Sequence, residues 1–422
     1  MVSGGGNRSV AVAVALVCCL WAVAPPAAAQ SSGAQSDGVE SPCVGTMEQP
    51  ANGTTVVAVQ GYNTSGKQPA MLVGVGPRGA VRWVHHSAEK HDAVWQYDVD
   101  PMANGNVFVT AAVRGKDTLV YEFDPETQET VWSERFDARD THDADLIDDG
   151  SAVVVANMRN ADPANGTNDD RVFVYNRTQE EVTWEWRFAD HYPKDVGGNF
   201  SNDWTHVNDV DPMGNGTFLL SPRNFDQVIA VDRATGEITM QLGADGDHDT
   251  LHEQHNPSYL ESENGTATLL VADSDNHRIV EYARRNGSWE RTWTLGSRQS
   301  LHWPRDADRL QNGNTLVADT KNQRVVEVTP TGEVVWEVYA PWLVYDAARL
   351  PQVDESSGPT VADQNATGRY DLTGSANLHA NESRLAACHA RLMDVEGLTA
   401  AGRAAYGEGE KREGDANERQ DG

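Results

Sequence analysis

The chain repeats one unit along most of its length, and this repeat limits the possible folds more than any other feature. Each copy has a His or Tyr, an Asp-containing corner, a turn with Gly and then an apolar strand. Such self-similarity predicts a propeller or a solenoid, in which each unit packs against the next. The copies are YDVDPMANGNVFV from Tyr97, HDADLIDDGSAVVV from His142, HVNDVDPMGNGTFLL from His206, HNPSYLESENGTATLLVAD from His255, HWPRDADRLQNGNTLVAD from His302, and a shortened VYDAARLP at Val344–Pro351.

A second repeated unit, a β-hairpin, lies between these copies. Its strands carry alternating apolar residues around N-G, T-G or P-x-G turns, which is a hairpin signal. Two hairpins make a four-stranded blade, and six hairpins of this second kind predict six blades around one axis. The hairpins are MLVGVGPRGAVRWV, LVYEFDPETQETVWSERF, RVFVYNRTQEEVTWEWRF, QVIAVDRATGEITMQL, RIVEYARRNGSWERTWTL and RVVEVTPTGEVVWEVY.

The fold class that follows is all-β, a six-bladed β-propeller of four-stranded blades over residues 53–361. The shortened copy near Tyr345 lacks a long partner strand, and the segment TTVVAVQG at residues 54–61 has no partner nearby in sequence. We expect the N-terminal strand to pair with the last C-terminal unit and complete one blade. Closure of this kind removes strand edges that would otherwise pair with other molecules.

The two ends of the chain have their own patterns. Arg8, an apolar run from Val10 to Ala24 and an A-x-A site at 27–29 predict a signal peptide at residues 1–29. A secreted or cell-surface location follows. An uncleaved anchor stays open and would be the one route to membrane association. Residues 30–52 are predicted as a linker, and residues 362–422 as a polar tail that is partly disordered.

The charge of the chain excludes some partners. Its 63 acidic residues against 33 basic ones give a net charge of -30, which predicts a halophilic surface and argues against binding of nucleic acid. Cys43 and Cys388 are the only cysteines beyond the predicted signal, and they could form one disulfide or stay free. Several N-x-S/T sequons are consistent with an exported glycoprotein: Asn52, Asn63, Asn176, Asn215, Asn264, Asn286 and Asn365.

Histidines recur at one position of the repeat. Residues at equivalent blade positions beside the axis of a propeller face one channel, so we expect these side chains to converge there. A histidine in such a corner is also often structural, and His142 has no special context beyond the repeat. Tyr97 and Tyr345 take the same position in two copies and are more often structural. The four histidines are His142, His206, His255 and His302.

Three of these histidines have polar neighbours suited to chemistry. His206 lies in W-T-H-V-N with Asn208, and the following strand of that unit ends at S-P-R-N-F-D. His255 lies in H-E-Q-H-N, and His302 in H-W-P-R-D with Arg305. Imidazole exchanges protons near neutral pH or attacks an electrophile, and a guanidinium binds a tetrahedral oxyanion. This combination predicts an oxyanion site in the channel.

The ordered motifs resemble the arylsulfate sulfotransferase family, in a haloarchaeal-like form, over residues 90–350. They are W-x-H-x-N, an S-x-R strand end, the hairpin VIAVDRATGEI, a Q-H pair and a D-N strand end. The resemblance implies transfer of a sulfuryl group from a phenolic sulfate ester to a phenol through a sulfohistidine, with no cofactor and no metal. It implies catalytic and substrate-binding roles as follows: His302 as the first candidate for the nucleophile, then His255 and His206, with Arg223, Asn208, Arg305 and Tyr97 binding substrate.

Two other functions remain open at this point. The segments VADSDNHRIVEY and PRDADRLQNGNTLVADTKNQRVVEV also resemble NHL-type propeller repeats, which implies a lyase or hydrolase with histidine-bound zinc. Three imidazoles around Zn²⁺ would use the same residues for a different purpose. The third possibility is an extracellular propeller that binds without catalysis. Detection of a bound metal would distinguish a zinc enzyme from a sulfotransferase.

Overall fold

The chain was analysed in a computed structural model that describes Met1 and residues 41–61, 70–115, 117–340, 342–352 and 356–393. The predicted signal peptide, the first part of the predicted linker and the charged end of the tail lie outside these residues. The described part is all-β, with six four-stranded blades arranged as a propeller. The fold prediction is confirmed.

The strands follow one another around the axis in chain order. The N-terminal part supplies β1 (Val44–Met47), β2 (Thr54–Gly61), β3 (Met71–Val75) and β4 (Val81–His85), followed by the short helix α1 (Ser87–His91). Blade 2 consists of β5 (Ala93–Pro101), β6 (Val107–Val113), β7 (Thr118–Asp124) and β8 (Glu129–Phe136). Blade 3 consists of β9 (Ala144–Ile147), β10 (Ala152–Asn157), β13 (Arg171–Asn176) and β14 (Glu181–Arg187), with the small hairpin β11 (Ala161–Asp162) and β12 (Thr167–Asn168) inserted in it.

The second half continues in the same way. Blade 4 consists of β15 (Val207–Pro212), β16 (Thr217–Pro222), β17 (Gln227–Asp232) and β18 (Ile238–Gly243). Blade 5 consists of β19 (His255–Glu261), β20 (Ala267–Asp273), β21 (Arg278–Arg285) and β22 (Ser288–Leu295). Blade 6 consists of β23 (Pro304–Arg309), β24 (Thr315–Asp319), β25 (Arg324–Val328) and β26 (Val334–Tyr339). The chain then forms β27 (Leu343–Leu350), β28 (Gly368–Tyr370) and the helix α2 (Glu382–Met393).

Blade 1 is built from both ends of the propeller. Strand β27 is its innermost strand and pairs antiparallel with β2, from Thr54 opposite Leu350 to Gly61 opposite Leu343. Strands β3 and β4 complete the sheet. The predicted closure of the ring is therefore confirmed.

Burial explains why the strands take these positions. All eight residues of β27 are buried, whereas β8 alternates exposed and half-buried residues up to a buried Phe136. Inner strands contact neighbouring blades on both faces, and outer strands meet solvent, so only the outer ones need a polar face. Each Val or Leu buried between blades contributes about 1.5–3 kcal/mol.

Buried aspartates satisfy the free edge of the innermost strands. A strand at the axis has no neighbour on its inner side, so some of its backbone N–H groups would lack an acceptor. Asp346 accepts the N–H of Val99 at 2.7 Å, and Asp143 accepts the N–H of Val210 at 2.6 Å, in each case across to the next blade. We call the five buried carboxyls at this position the axial carboxyl layer: Asp98, Asp143, Asp209, Asp306 and Asp346.

Two blades carry a fifth strand that the repeats did not predict. Strand β1 pairs with β26 of blade 6, and β28 pairs in parallel with β22 of blade 5. Strand β1 lies within the predicted linker, while β28 and α2 lie within the predicted tail. Cys43 is bonded to Cys388 of α2, with their Cα atoms 4.7 Å apart, so the pairing that the sequence left open is present. Neither described helix is long and apolar enough to cross a membrane.

Candidate active site

Six side chains take one equivalent position at the start of the innermost strands. In each blade, the residue two positions further along the chain pairs with the second strand. Val99, Ala144 and Val210 are three of these paired residues. In five of the six blades the next residue belongs to the axial carboxyl layer. We call these six side chains the axial ring: Tyr97, His142, Asn208, Asn256, Arg305 and Tyr345.

The structure departs from the repeat alignment in blade 6. The register of β23 places Arg305 in the axial ring, and His302 lies three residues earlier. The ring of His302 is 5.4 Å from that of His277 between centroids, and none of its described ring contacts is with the other predicted histidines. Trp303 and Pro304 separate His302 from Arg305, and this spacing explains the difference. The expected convergence of His302 with the other three is therefore not seen.

Two histidines reach the axis from just before the equivalent position. His206 precedes Asn208 by two residues and has φ 43°, and His255 precedes Asn256, which has φ 36°. Left-handed backbone is costly for residues other than Gly, and it persists where the surroundings hold it, often at functional sites. These turns direct the imidazoles toward the ring.

The ring side chains contact one another directly. The His142 ring lies 4.0 Å from that of Tyr97 and 5.1 Å from that of His206, between centroids. Tyr345 is 6.1 Å from His255, and its hydroxyl is 3.1 Å from Nδ1 of His142. Three of the four predicted histidines therefore form one cluster with the two tyrosines.

A buried charged network orients His206. Its Nδ1 donates to Asp203 Oδ2 at 2.8 Å, and Arg159 donates to the same oxygen at 3.1 Å. Arg159 also pairs with Asp140, which accepts the hydroxyl of Tyr97 at 2.7 Å. Burial lowers the pKa of His206 to about 4, although the Asp203 carboxylate opposes this shift. The ring is thus neutral, and Nε2 holds the lone pair.

His255 has a neutral partner instead. Its Nδ1 faces Ser274 Oγ at 2.8 Å and the carbonyl of Glu253 at 3.2 Å. The Ser274 hydroxyl donates its single proton to the carbonyl of Pro304 at 2.7 Å, so it can only accept from His255. Nδ1 therefore carries the proton, and Nε2 has a lone pair with no hydrogen-bond partner among the described residues. Burial, followed by the charges of Arg305 and Arg223, lowers the pKa of His255.

Arg305 is a buried cation without a counterion. Only 5% of it is exposed, its Nη1 donates to Gln60 Oε1 at 2.6 Å, and its Cζ lies 4.9 Å from the centre of the Tyr345 ring. Within the part of the chain that the structure describes, no carboxylate pairs with it, and its Nε has no partner. Other buried arginines each pair with a carboxylate: Arg309 with Glu281, Arg324 with Asp319 and Glu337, and Arg349 with Glu327.

Of the other predicted substrate-binding residues, Arg223 lies beside the ring and Asn208 within it. Arg223 donates to Asn224 Oδ1 at 3.0 Å and lies 3.7 Å from Glu253. Its charge lowers the pKa of both His206 and His255, after burial in each case. Asn208 donates to the carbonyl of Gln254 at 2.9 Å. The guanidinium groups of Arg223 and Arg305 therefore both act on His255, and a pair of guanidinium groups suits a tetrahedral anion.

The sequence did not reveal the supporting residues of this site. Asp140, Arg159 and Asp203 lie in connections between strands, and Gln60 and Ser274 end strands of neighbouring units. Asp140 and Asp203 precede histidines by two and three residues, which is the only signal that could have identified them. As for zinc, no group of three His, Cys, Asp or Glu side chains in the described ranges is arranged to hold a metal ion. The imidazoles have different partners instead.

A model of the arylsulfotransferase (ASST) family matches residues 44–291. The chain belongs to the arylsulfotransferase family. The match covers more than half of the chain, including His142, His206, Asn208, Arg223 and His255. The family supports a transferase enzyme whose substrates are aryl sulfates and phenols. No curated protein matches this family member.

Several solved structures are similar to this arylsulfotransferase family member. A protein of unknown function from Bacteroides caccae is 14% identical, with a TM-score of 0.48 over 71% of this chain and 100% of that one. Hydrazine synthase from Kuenenia stuttgartiensis is 13% identical, with a TM-score of 0.40 over 71% and 79%. A streptogramin B lyase is 12% identical, with a TM-score of 0.36 over 63% and 73%.

Proposed function

We propose that this protein transfers a sulfuryl group from a phenolic sulfate ester to a phenol, without a nucleotide donor, and that His255 is the nucleophile. The observation that carries the proposal is that Arg305, a buried cation with no carboxylate partner among the described residues, acts on His255, whose Nε2 lone pair has no hydrogen-bond partner there. An unneutralised buried charge is costly, and a bound sulfate ester would neutralise it. Family membership supports the same reaction class.

The choice of His255 over the sequence-based candidate His302 rests on placement. His302 packs against His277 outside the axial ring, whereas His255 lies in contact with Tyr345 and close enough to two arginines for their charges to lower its pKa. A low pKa keeps the imidazole neutral, and only the neutral ring can attack sulfur. Arg305 and Arg223 would hold the sulfuryl oxygens as charge develops on them.

The proposed first step forms a bond between His255 Nε2 and sulfur and breaks the bond between sulfur and the phenolic oxygen. His206 would take up a proton at Nε2 when the anionic ester binds, and would donate that proton to the departing phenolate. The Asp203 carboxylate stabilises the imidazolium form of His206 that this role requires, and the charge of the bound ester favours it further.

The second step reverses these roles. The acceptor phenol gives its proton to His206 Nε2 while its oxygen attacks sulfur, and the bond from sulfur to His255 breaks. The nucleophile regains its lone pair, and His206 is again protonated for the next cycle. Each step is one displacement at sulfur, so we expect ping-pong kinetics.

The test is release of nitrophenolate from 4-nitrophenyl sulfate in the presence of phenol, in high salt with a chelator. We expect phenol-dependent release by the wild type and loss of about 10⁴-fold or more in His255→Ala, because removing a nucleophile leaves only binding and electrostatic effects. His302→Ala should retain most of the activity. Loss confined to His302→Ala would contradict the assignment, and no release by the wild type would overturn the proposed reaction.

A further inference from the structure

A group of cationic and imidazole side chains lies beside the axial ring at the start of blade 6. Burial lowers the pKa of His277, and Arg298, His302 and Lys321 lower it further, while Asp275 opposes them. We call Arg298, His277, His302 and Lys321 the rim cluster. The chain carries six lysines against a net charge of -30, so a lysine and an arginine that act on one imidazole are unusual in this chain.

One aromatic residue connects the rim cluster to the axial ring. The Cζ of Arg305 and the Nζ of Lys321 each lie 4.0 Å from the centre of the Trp303 ring. The two charges are therefore at most twice that distance apart. One aromatic ligand that carries an anionic group at each end is long enough to reach both cations.

The backbone of Trp303 is held in an uncommon conformation. Its φ is 58°, in the left-handed region that bulky residues rarely adopt. Its N–H donates to His277 Nδ1 at 3.1 Å. Since Nδ1 accepts that bond, the neutral His277 ring carries its proton on Nε2, which is then a hydrogen-bond donor to a ligand. The conformation of Trp303 thus places its indole next to both cations. Its N–H also fixes the tautomer of His277.

We propose that the rim cluster is a second anion-binding subsite, and that the substrates are aryl sulfates and phenols with a carboxylate or second sulfate on the ring. The proposal rests on the proposed function of the axial ring. Arg305 would hold the reacting sulfuryl group, while Lys321, Arg298, His277 and His302 would hold the second anion. A second contact on the aromatic group would also select the substrate by its length, because both cations pack on the same indole.

Kinetics with two donors isolate the rim cluster. The donors are phenyl sulfate and 4-carboxyphenyl sulfate, and the variants are Lys321→Gln, Lys321→Arg and His302→Ala. We expect the wild type to have the lower KM for the carboxylated donor. Lys321→Gln should raise that KM by about tenfold, as loss of one charge-assisted contact predicts, without a change for phenyl sulfate. Lys321→Arg keeps the charge and should restore most of the preference.

The control is Arg284→Gln, at the far end of β21 from the rim, which should leave both KM values unchanged. Equal KM values for the two donors in the wild type would overturn the proposal. An equal rise for both donors in Lys321→Gln would do the same, because it would indicate an effect on Arg305 rather than on a second subsite.

Binding without turnover separates this proposal from the proposed function. Calorimetry with benzenesulfonate and benzene-1,4-disulfonate measures the two anion subsites directly. Tighter binding of the disulfonate that disappears in Lys321→Gln supports the rim subsite even if no sulfuryl transfer is detected. Equal affinities for the two probes would overturn the rim subsite and leave the axial ring as a site for one anion.

Discussion

Single hydrogen bonds give different chemistry to the histidines of the axis. His206 bonds to a carboxylate and can carry a positive charge, whereas His255 bonds to a hydroxyl and gains nothing by protonation. Neighbouring imidazoles that differ in this way are suited to act as acid and nucleophile in one reaction. The roles of His206 and His255 can therefore be tested by separate substitutions.

Replacement of Asp203 by Asn tests the acid. The carboxylate raises the pKa of His206, so its loss should lower that pKa and move the alkaline limb of the pH–rate profile to lower pH. We expect kcat to fall by about 100-fold, within the range for loss of acid–base catalysis. Asp195→Asn, in the same loop, is the control. An unchanged pH profile in Asp203→Asn would show that His206 does not act as the acid.

Replacement of Arg305 by Gln should separate activity from stability. We expect kcat to fall by about 10²–10³-fold, as for loss of one group that stabilises developing charge. The free energy of unfolding should rise by about 1 kcal/mol, because a buried charge without a counterion is removed.

The matched control for Arg305→Gln is Arg349→Gln, which breaks a buried pair with Glu327. It should lower the free energy of unfolding by about 3–5 kcal/mol, because a buried carboxylate loses its counterion. Denaturant titration measures both variants. Equal destabilisation by the two substitutions would show that Arg305, like Arg349, has a counterion in the folded protein.

At the scale of the element, the repeats predicted the blades because each strand pattern is local. The axial position of Tyr97 and His142 follows from that same periodicity, so the sequence placed them well. His302 was misplaced because Trp303 and Pro304 separate it from the axial position, and only the pairing of β23 with β24 shows which residue enters the ring. Strands β1 and β28 have no repeat partner, so no pattern predicted them.

The link between β1 and α2 can be tested through the disulfide. Joining residues 345 positions apart restricts the unfolded chain strongly, and loss of such a bond costs about 2–5 kcal/mol. We expect the double variant Cys43→Ser, Cys388→Ser to lose that much free energy of unfolding in a urea titration. Reductant should lower the stability of the wild type to the same value and leave the variant unchanged. If reductant has no effect on the wild type, the thiols are not bonded.

At the scale of the whole molecule, the axial carboxyl layer couples the propeller to pH. Burial raises the pKa of Asp143 to about 7 and that of Asp346 to about 6. The unfolded chain loses these protons above the ordinary aspartate pKa of 3.8, whereas the folded protein keeps them. This contribution to stability is complete below that value and is lost as the pH rises through the folded pKa values.

The variant Asp346→Asn isolates one member of this layer. Asn cannot ionise, so the stability of the variant relative to the wild type should improve by about 1.4 kcal/mol as the pH rises from about 5 to about 8. Thermal unfolding across that range measures the difference. Asp149→Asn, at an exposed carboxyl, should show no such trend. A pH-independent difference for Asp346→Asn would contradict the raised pKa.

The overall charge gives a separate prediction about salt. The excess acidic side chains that give the net charge of -30 repel one another in the folded protein, and molar salt screens charges beyond about 3 Å. We expect Tm to rise with salt and to do so equally for NaCl and KCl at the same ionic strength. A Tm independent of salt would argue against the predicted halophilic surface. Export through residues 1–29 stays a prediction.

The composite blade 1 also has a consequence for synthesis. Strand β27 is made after the other five blades, and it carries Tyr345, which closes the axial ring beside His142. A nascent chain therefore holds β2 without its inner neighbour until residue 350 has been translated. The last of the innermost strands to emerge both closes the ring and completes the site, so a chain that ends before it has neither a closed propeller nor an assembled site.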